Sequence, residues 1–360
     1  MPSPKHLLVD ISTHGFGHFG QTCHVLNSLY KLHPDLRVTL RSKLPERLIQ
    51  ERLDMPVTSL SHALDAGLIM FNAMEVNREA SFEYYKNFHD NFEQNVEDEV
   101  KALQQIKPDL LLANVPYVSL AAAAQLDIPS IAMCSLNWAD VFQHYSTEFP
   151  EAKPIIEQIQ QTYRLAETFL TVTPAMEMPS LVNTQRIPPI LHEGIDHAES
   201  LRQLVQNEQA RFVVVGLGGI PTELSTIEWP LLDNVYWIVS DSLDTSREDV
   251  IAQSYIGLNY TDLLRSCDVV LTKTGYGMLV ESTTNQTPII CIDRGIWPEQ
   301  PALFDWVEQH GYLKTIQLDN LYTGNFVEEV VDSLNISWQK PALTNNGADV
   351  AAKIISPYLQ

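Results

Sequence analysis

Residues Cys267 to Glu281 read C-D-V-V-L-T-K-T-G-Y-G-M-L-V-E, and Pro288 to Pro301 continue as P-I-I-C-I-D-R-G-I-W-P-E-Q-P. An apolar run ends in Lys273 and Thr274, glycines open a helix near Tyr276, and a second apolar run closes at Ile292. Strand, helix, strand in that order needs a crossover, so the sheet it builds is parallel. Working outward, Arg211 to Val215, Val235 to Val239, Asp268 to Thr272 and Pro288 to Ile292 form one set of strands. Upstream, His6 to Ile11, Leu36 to Leu40, Asp109 to Ala113, Ser130 to Cys134 and Phe169 to Val172 form another. The pattern predicts an α/β protein with two parallel sheets.

The chain has 360 residues, more than one core of about 250–300 residues accommodates, so two domains are expected. Arg186 to Gly194, R-I-P-P-I-L-H-E-G, reads as an extended connector and not as a helix or buried strand. The expected division is 1–190, then 191–345, with 346–360 as a closing helix (Gly347 to Leu359) packing back on the first domain. A net charge of −22 opposes nucleic acid and anionic membranes as partners, while leaving room for a local phosphate site built from backbone N–H groups. Cys23, Cys134, Cys267 and Cys291 sit in apolar runs without a C-x-x-C pair and read as reduced core thiols. Neither a secretory leader nor a membrane-length apolar stretch is visible, which points to the cytoplasm. The Walker G-x-x-x-x-G-K-[ST] pattern is missing, which removes the main support for a kinase or ATPase.

Three loops carry the candidate chemistry. Ser12 to Gln21, S-T-H-G-F-G-H-F-G-Q, follows the first strand; Gly15, Gly17 and Gly20 have dinucleotide-fold spacing. The second strand is followed by Arg41 and Ser42 instead of an acid, which weakens NAD binding without excluding NADP. His14 and His18 suit proton transfer near neutral pH, against the plainer reading of a helix cap or a backbone hydrogen bond. Gly216, Gly218 and Gly219 close the first strand of the second set and would alone be an ordinary β-α turn. In the third loop Lys273, Thr274, Gly275, Tyr276 and Gly277 are placed to meet phosphate. Glu281, a turn and a half into the helix, can accept from a ribose diol; Arg294, Glu299 and Gln300 can reach a sugar. Their plainer readings are a solvated helix face and a capped surface loop. Asp65, Asn72, Asn114 and Trp138 are lining residues, read as structural.

The spacing from Thr274-Gly275 to Glu281 resembles the S-G-x-x-x-x-x-E signature of family 28 glycosyltransferases. His14 to His18 (H-G-F-G-H), Lys273 to Glu281, Glu299 to Pro301 and Leu136 to Tyr145 resemble the glycosyltransferase-like N-terminal module of plant L-arabinokinases and its stand-alone bacterial relatives. The resemblance spans residues 6 to 315 and implies the GT-B architecture, two Rossmann-like domains facing across a cleft. It also implies a metal-independent inverting transfer from a nucleotide-sugar, UDP-sugars favoured, to an unidentified small-molecule or glycan hydroxyl. His18 would be the base and the nucleotide-sugar a co-substrate, with no cofactor; Ile256 to Tyr260 would hold the nucleotide base. Two departures, Gln21 for an arginine and Gln300 for the second carboxylate of E-E-P, bear on which sugar or acceptor is used. The resemblance does not reach the galactokinase-like half of arabinokinase, so sugar phosphorylation is not implied. The absence of a D-x-D triplet agrees with metal-free chemistry. A sugar-nucleotide epimerase or hydrolase, and a non-catalytic nucleotide-sugar binding module, are the alternatives.

Overall fold

In the computed structural model the described residues are 4–14, 16–62, 64–65, 67–72, 74–218, 225–243 and 246–360. The chain forms two compact units: Met1–Phe71 with Glu75–Ile190 and Asn345–Gln360, and Asn72–Met74 with Leu191–Thr344.

The first unit is built on β1 (His6–Ile11), β2 (Arg37–Ser42), β3 (Thr58–Ser61), β4 (Leu110–Asn114), β5 (Ser130–Cys134), β6 (Thr168–Val172) and β7 (Thr184–Ile187). All pairs are parallel, in the order β3-β2-β1-β4-β5-β6-β7. Every residue of β1, β4 and β5 is buried, as expected for central parallel strands covered on both faces. The sheet exceeds the five runs expected, because its two edge strands are polar: T-S-L-S at β3 and T-Q-R-I at β7. An edge strand packs little, so its sequence carries little apolar signal. Part of the stretch read as a connector is thus strand β7, which Pro188 and Pro189 terminate by lacking N–H donors.

Helix Gly17–Leu32 follows β1 and buries Phe19, Cys23, Leu26 and Leu29 at helical spacing. Helix Gly347–Ile355 packs against it, and the Ser28 hydroxyl donates to Asp349 Oδ1 at 2.7 Å. Asn346 caps this helix by accepting from the Ala348 N–H, while the Gly347 N–H donates to Pro189 O at 2.7 Å.

Beneath the first loop lies a buried ion triad. Arg41 Nε and Nη2 donate to the Asp10 carboxylate at 2.6 and 2.7 Å, and Nη2 and Nη1 donate to Glu99 Oε1 and Oε2 at 2.6 and 3.1 Å. All three residues are at most 4% exposed. Burial opposes the Arg41 charge, but Asp10 and Glu99 raise its pKa above the usual arginine value. Read in the sequence only as a strand-end residue, Arg41 is instead engaged on both sides of its guanidinium.

The second unit holds β8 (Arg211–Gly216), β9 (Val235–Val239), β10 (Val250–Ala252), β11 (Val269–Lys273), β12 (Ile289–Ile292) and β13 (Leu313–Ile316). They pair in parallel in the order β10-β9-β8-β11-β12-β13. Val213, Val215, Trp229, Trp237, Leu271, Ile290, Ile292 and Phe326 fill its core. Here too the sequence missed the edges, β10 and β13. The four cysteines are free and buried, as expected. Among the described residues no helix is long and apolar enough to cross a membrane.

Strand order reverses between β1 and β4 in the first unit and between β8 and β11 in the second. Loops leaving the carboxyl ends of strands at such reversals flank a crevice where ligands bind.

Candidate functional site

In the first unit the reversal juxtaposes the loop after β1 with the end of β4, where Ile11 lies opposite Asn114. His18 is the second residue of helix Gly17–Leu32, not part of a flexible loop, and is 6% exposed. Its Nδ1 is 2.9 Å from Asn114 Oδ1. Asn114 Nδ2 faces three acceptors: His18 O at 3.2 Å, Thr22 Oγ1 at 3.0 Å and Gln21 Oε1 at 3.3 Å. The amide is therefore oriented with its oxygen toward the imidazole, Nδ1 carries the proton, and Nε2 keeps its lone pair. Burial pushes the His18 pKa down to about 4, only partly opposed by the Asn114 hydrogen bond, so the ring is neutral at pH 7.

Trp138 stands beside both histidines. Its ring lies 5.8 Å from His18 and 5.3 Å from His14, edge-on to the latter. Asn137 caps the helix Trp138–Tyr145 by accepting from the Asp140 N–H, which fixes Trp138 at the first helical position. The His14 N–H donates to Ser12 Oγ at 3.3 Å. Gly67 explains a close approach: at φ +60° it is left-handed, and a Cβ there would fall 2.8 Å from both His14 Cβ and the Trp138 ring. Gly17 opens the helix with nothing within 4 Å of where its Cβ would be, and Phe16 provides no side-chain cap. Gly15 lies outside the described residues.

In the second unit, β8 and β11 run side by side with Gly216 opposite Thr272, whose hydroxyl donates to Gly216 O at 2.6 Å. Helix Tyr276–Thr284 starts where the sequence placed it, with Gly275 as its N-cap and Gly277 in its first turn. Gly275 has no side chain to cap the first N–H groups, and nothing lies within 4 Å of where its Cβ would be. Lys273 Cε lies 3.3 Å from the Cβ position of Gly218, which is left-handed at φ +83°. Burial, then the neighbouring Arg294 charge, lowers the Lys273 pKa to about 8. Glu299 lies close enough to oppose part of this shift. Gly219 lies outside the described residues.

Thr274, Arg294 and Gln300 form one network. Gln300 Oε1 accepts from Thr274 Oγ1 at 2.7 Å and from the Arg294 N–H at 2.9 Å, and Nε2 donates to Asp293. The Arg294 guanidinium lies 4.0 Å over the Trp297 ring, and Trp297 Nε1 donates to Glu299 Oε2 at 3.3 Å. Gln300 thus organises the loop around its own buried amide. Glu281 is buried one helix over, accepting from Thr261 Oγ1 at 3.4 Å, and is not part of this network.

The sequence reading missed Gly67, and named Tyr260 only as the end of the segment expected to hold the nucleotide base. A Cβ at Gly216 would fall 2.0 Å from Tyr260 Oη, so this glycine makes room for a tyrosine and not for a ligand. Gly216→Ala is expected to destabilise the second unit by about 1–3 kcal/mol through overpacking, and Gly216→Ala/Tyr260→Phe to recover most of it; urea unfolding midpoints decide. Asn114 was named as a lining residue, but its part in holding His18 was not legible. Its position at the end of an apolar run, L-L-L-A-N, was the available signal.

Two Rossmann-like units of this topology make the GT-B fold. Solved structures agree: the chain superposes on the glycosyltransferase of kitacinnamycin with a TM-score of 0.65 at 15% identity over 100% of both chains. It superposes on a UDP-glucosyltransferase from Polygonum tinctorium with 0.61 at 12% identity, over 99% of this chain and 98% of that one. By sequence it is similar to L-arabinokinase of Arabidopsis thaliana, 24% identical over 98% of this chain. The chain spans 34% of that protein's length. No family model matches the chain.

Proposed function

We propose that the protein is a metal-independent inverting glycosyltransferase that uses a nucleotide-sugar, with UDP-sugars favoured, and a hydroxyl acceptor. The observation that carries this reading is the buried His18, its Nδ1 held by Asn114 and its Nε2 lone pair left for a proton, in the first turn of the helix that follows β1 at the strand reversal of a GT-B fold. The acceptor oxygen attacks the anomeric carbon, its proton passes to His18 Nε2, and the bond from that carbon to the phosphate oxygen breaks. The nucleoside diphosphate leaves with the bonding pair. A single displacement inverts the anomeric centre. Lys273, Gly218 and the uncapped helix start at Gly275 and Tyr276 supply positive charge and N–H donors for the leaving diphosphate. Glu281 binds the ribose, and Arg294, Glu299 and Gln300 read the sugar.

A thermal-shift screen of UDP-, TDP- and GDP-sugars tests this, since a ligand at about 100 times Kd stabilises the folded state by about 2.7 kcal/mol. Lys273 adds a pH signature. Its charge is present below about pH 8 and is lost above, while diphosphate favours the ammonium. The donor Kd is therefore expected to weaken by up to about tenfold per pH unit above pH 8, and Lys273→Met to be weaker throughout and flat. Equal donor affinity at about pH 7 and about pH 9 would remove Lys273 from the site. Consumption of donor without any acceptor would favour the epimerase or hydrolase.

A further inference from the structure

Asp65 stands outside the assigned chemistry, yet several groups of the first half-site converge on it. Its Oδ2 accepts from Trp138 Nε1 at 2.8 Å and its Oδ1 from the Thr13 N–H at 3.4 Å. Its backbone oxygen accepts from the Thr13 hydroxyl at 2.9 Å, and the Ser12 hydroxyl also lies in hydrogen-bonding contact with the carboxylate. Two residues on, Gly67 is the left-handed glycine pressed against His14 and the Trp138 ring. One short segment therefore grips the loop after β1 from one side and the indole beside His18 from the other. Trp138 is fully buried, and its ring helps to keep water from His18, the condition that depresses that imidazole.

We propose that Asp65 is a positioning residue for the transfer reaction: its carboxylate holds Trp138 against His14 and His18 and ties that indole to the Ser12–His14 turn, so that the base is presented neutral and fixed. The inference rests on His18 acting as the base.

The titratable and charged groups facing Asp65 are few. Asp10 on β1 is paired with Arg41, and its charge disfavours a second one on Asp65. Tyr85 from helix Arg78–Asp90, Tyr117, and Tyr163 from helix Ala152–Tyr163 are neutral, burial having raised each of them. His14 and His18 lie beyond the indole. Burial first, then Asp10, lifts the Asp65 carboxyl to about 6 against the hydrogen bonds from Ser12, Trp138 and Thr13. The charged clamp is therefore present above about pH 6 and lost below it, well before His18 itself is protonated near 4.

Trp138 is a built-in reporter, because the other five tryptophans, Trp229, Trp237, Trp297, Trp306 and Trp338, lie in the second unit. The test follows the Trp138 indole N–H resonance in the full chain, assigned with Trp138→Phe, and the His18 imidazole titration. In the wild type the indole resonance should move with a midpoint near 6. In Asp65→Asn the movement should vanish and the His18 pKa should rise toward the ordinary histidine value. With a donor the wild type turns over, kcat should fall about tenfold to a hundredfold, the loss of one charge-assisted hydrogen bond, with donor KM unchanged. Trp138→Phe, which keeps a ring and loses the donor, should reproduce the kcat loss, and the double variant should be no worse than either single one. An indole resonance insensitive to pH near 6, or additive losses in the double variant, overturns the proposal. If the wild type transfers no sugar at all, the reading of His18 fails while the two resonances still decide whether Asp65 holds Trp138.

Discussion

His18→Ala is expected to lower kcat by about 10²- to 10⁴-fold, the usual contribution of a positioned general base. Donor affinity should change little, because the groups proposed to bind phosphate, Lys273, Gly218 and the helix start at Gly275, belong to the second unit. A ring merely capping the helix would cost stability and leave turnover near normal, so the split between kcat and Kd is the deciding readout. Single-turnover rates with a donor found by thermal shift, alongside calorimetric Kd, measure both. Asn114→Asp is an informative companion: a carboxylate accepts from Nδ1–H as the amide does, but lacks donors for His18 O, Thr22 Oγ1 and Gln21 Oε1. A kcat for His18→Ala within about tenfold of wild type would mean that another group takes the proton.

Arg41→Met carries the largest expected effect on stability, a loss of about 3–5 kcal/mol, because it strands Asp10 and Glu99 facing each other without a cation. The cost arises from the uncompensated carboxylates and not from the ion pairs themselves. Arg41→Met/Asp10→Asn/Glu99→Gln should therefore regain most of the stability. Equilibrium urea unfolding followed by Trp138 emission, with the other tryptophans changed to phenylalanine, reports the first unit. A triple variant as unstable as the single one would show that the triad stabilises by its own attraction.

The sequence made the interior of both sheets legible because central parallel strands are buried on both faces and carry apolar runs, L-L-V in β1, L-L-L-A in β4 and V-V-L in β11. Strands β3, β7, β10 and β13 escaped for the opposite reason, being short edges with polar or half-exposed side chains. Residues beside a strand end could be placed from the sequence, Lys273 closing β11 and Thr274 following it, whereas His18 and Gln300 lie at the starts of helices. What the sequence hid was set by tertiary approach. Gly216 is a glycine because of Tyr260, far along the chain, and Gly67 because of His14 and Trp138. Arg41, a strand-end residue in the sequence, is surrounded by Asp10 and Glu99. No local pattern encodes such neighbours.

The hydrogen bond from Gly347 to Pro189 has a practical corollary for dissecting the molecule. The points where the chain departs for the second unit and returns from it are adjacent in the first, as are Phe71 and Glu75, joined at 2.9 Å on either side of the brief excursion through Asn72–Met74. The second unit is thus a guest inserted into a host. Splicing Ile190 to Asn345 through a linker of about two or three residues should give a miniature host that keeps its histidines for study apart from the donor chemistry.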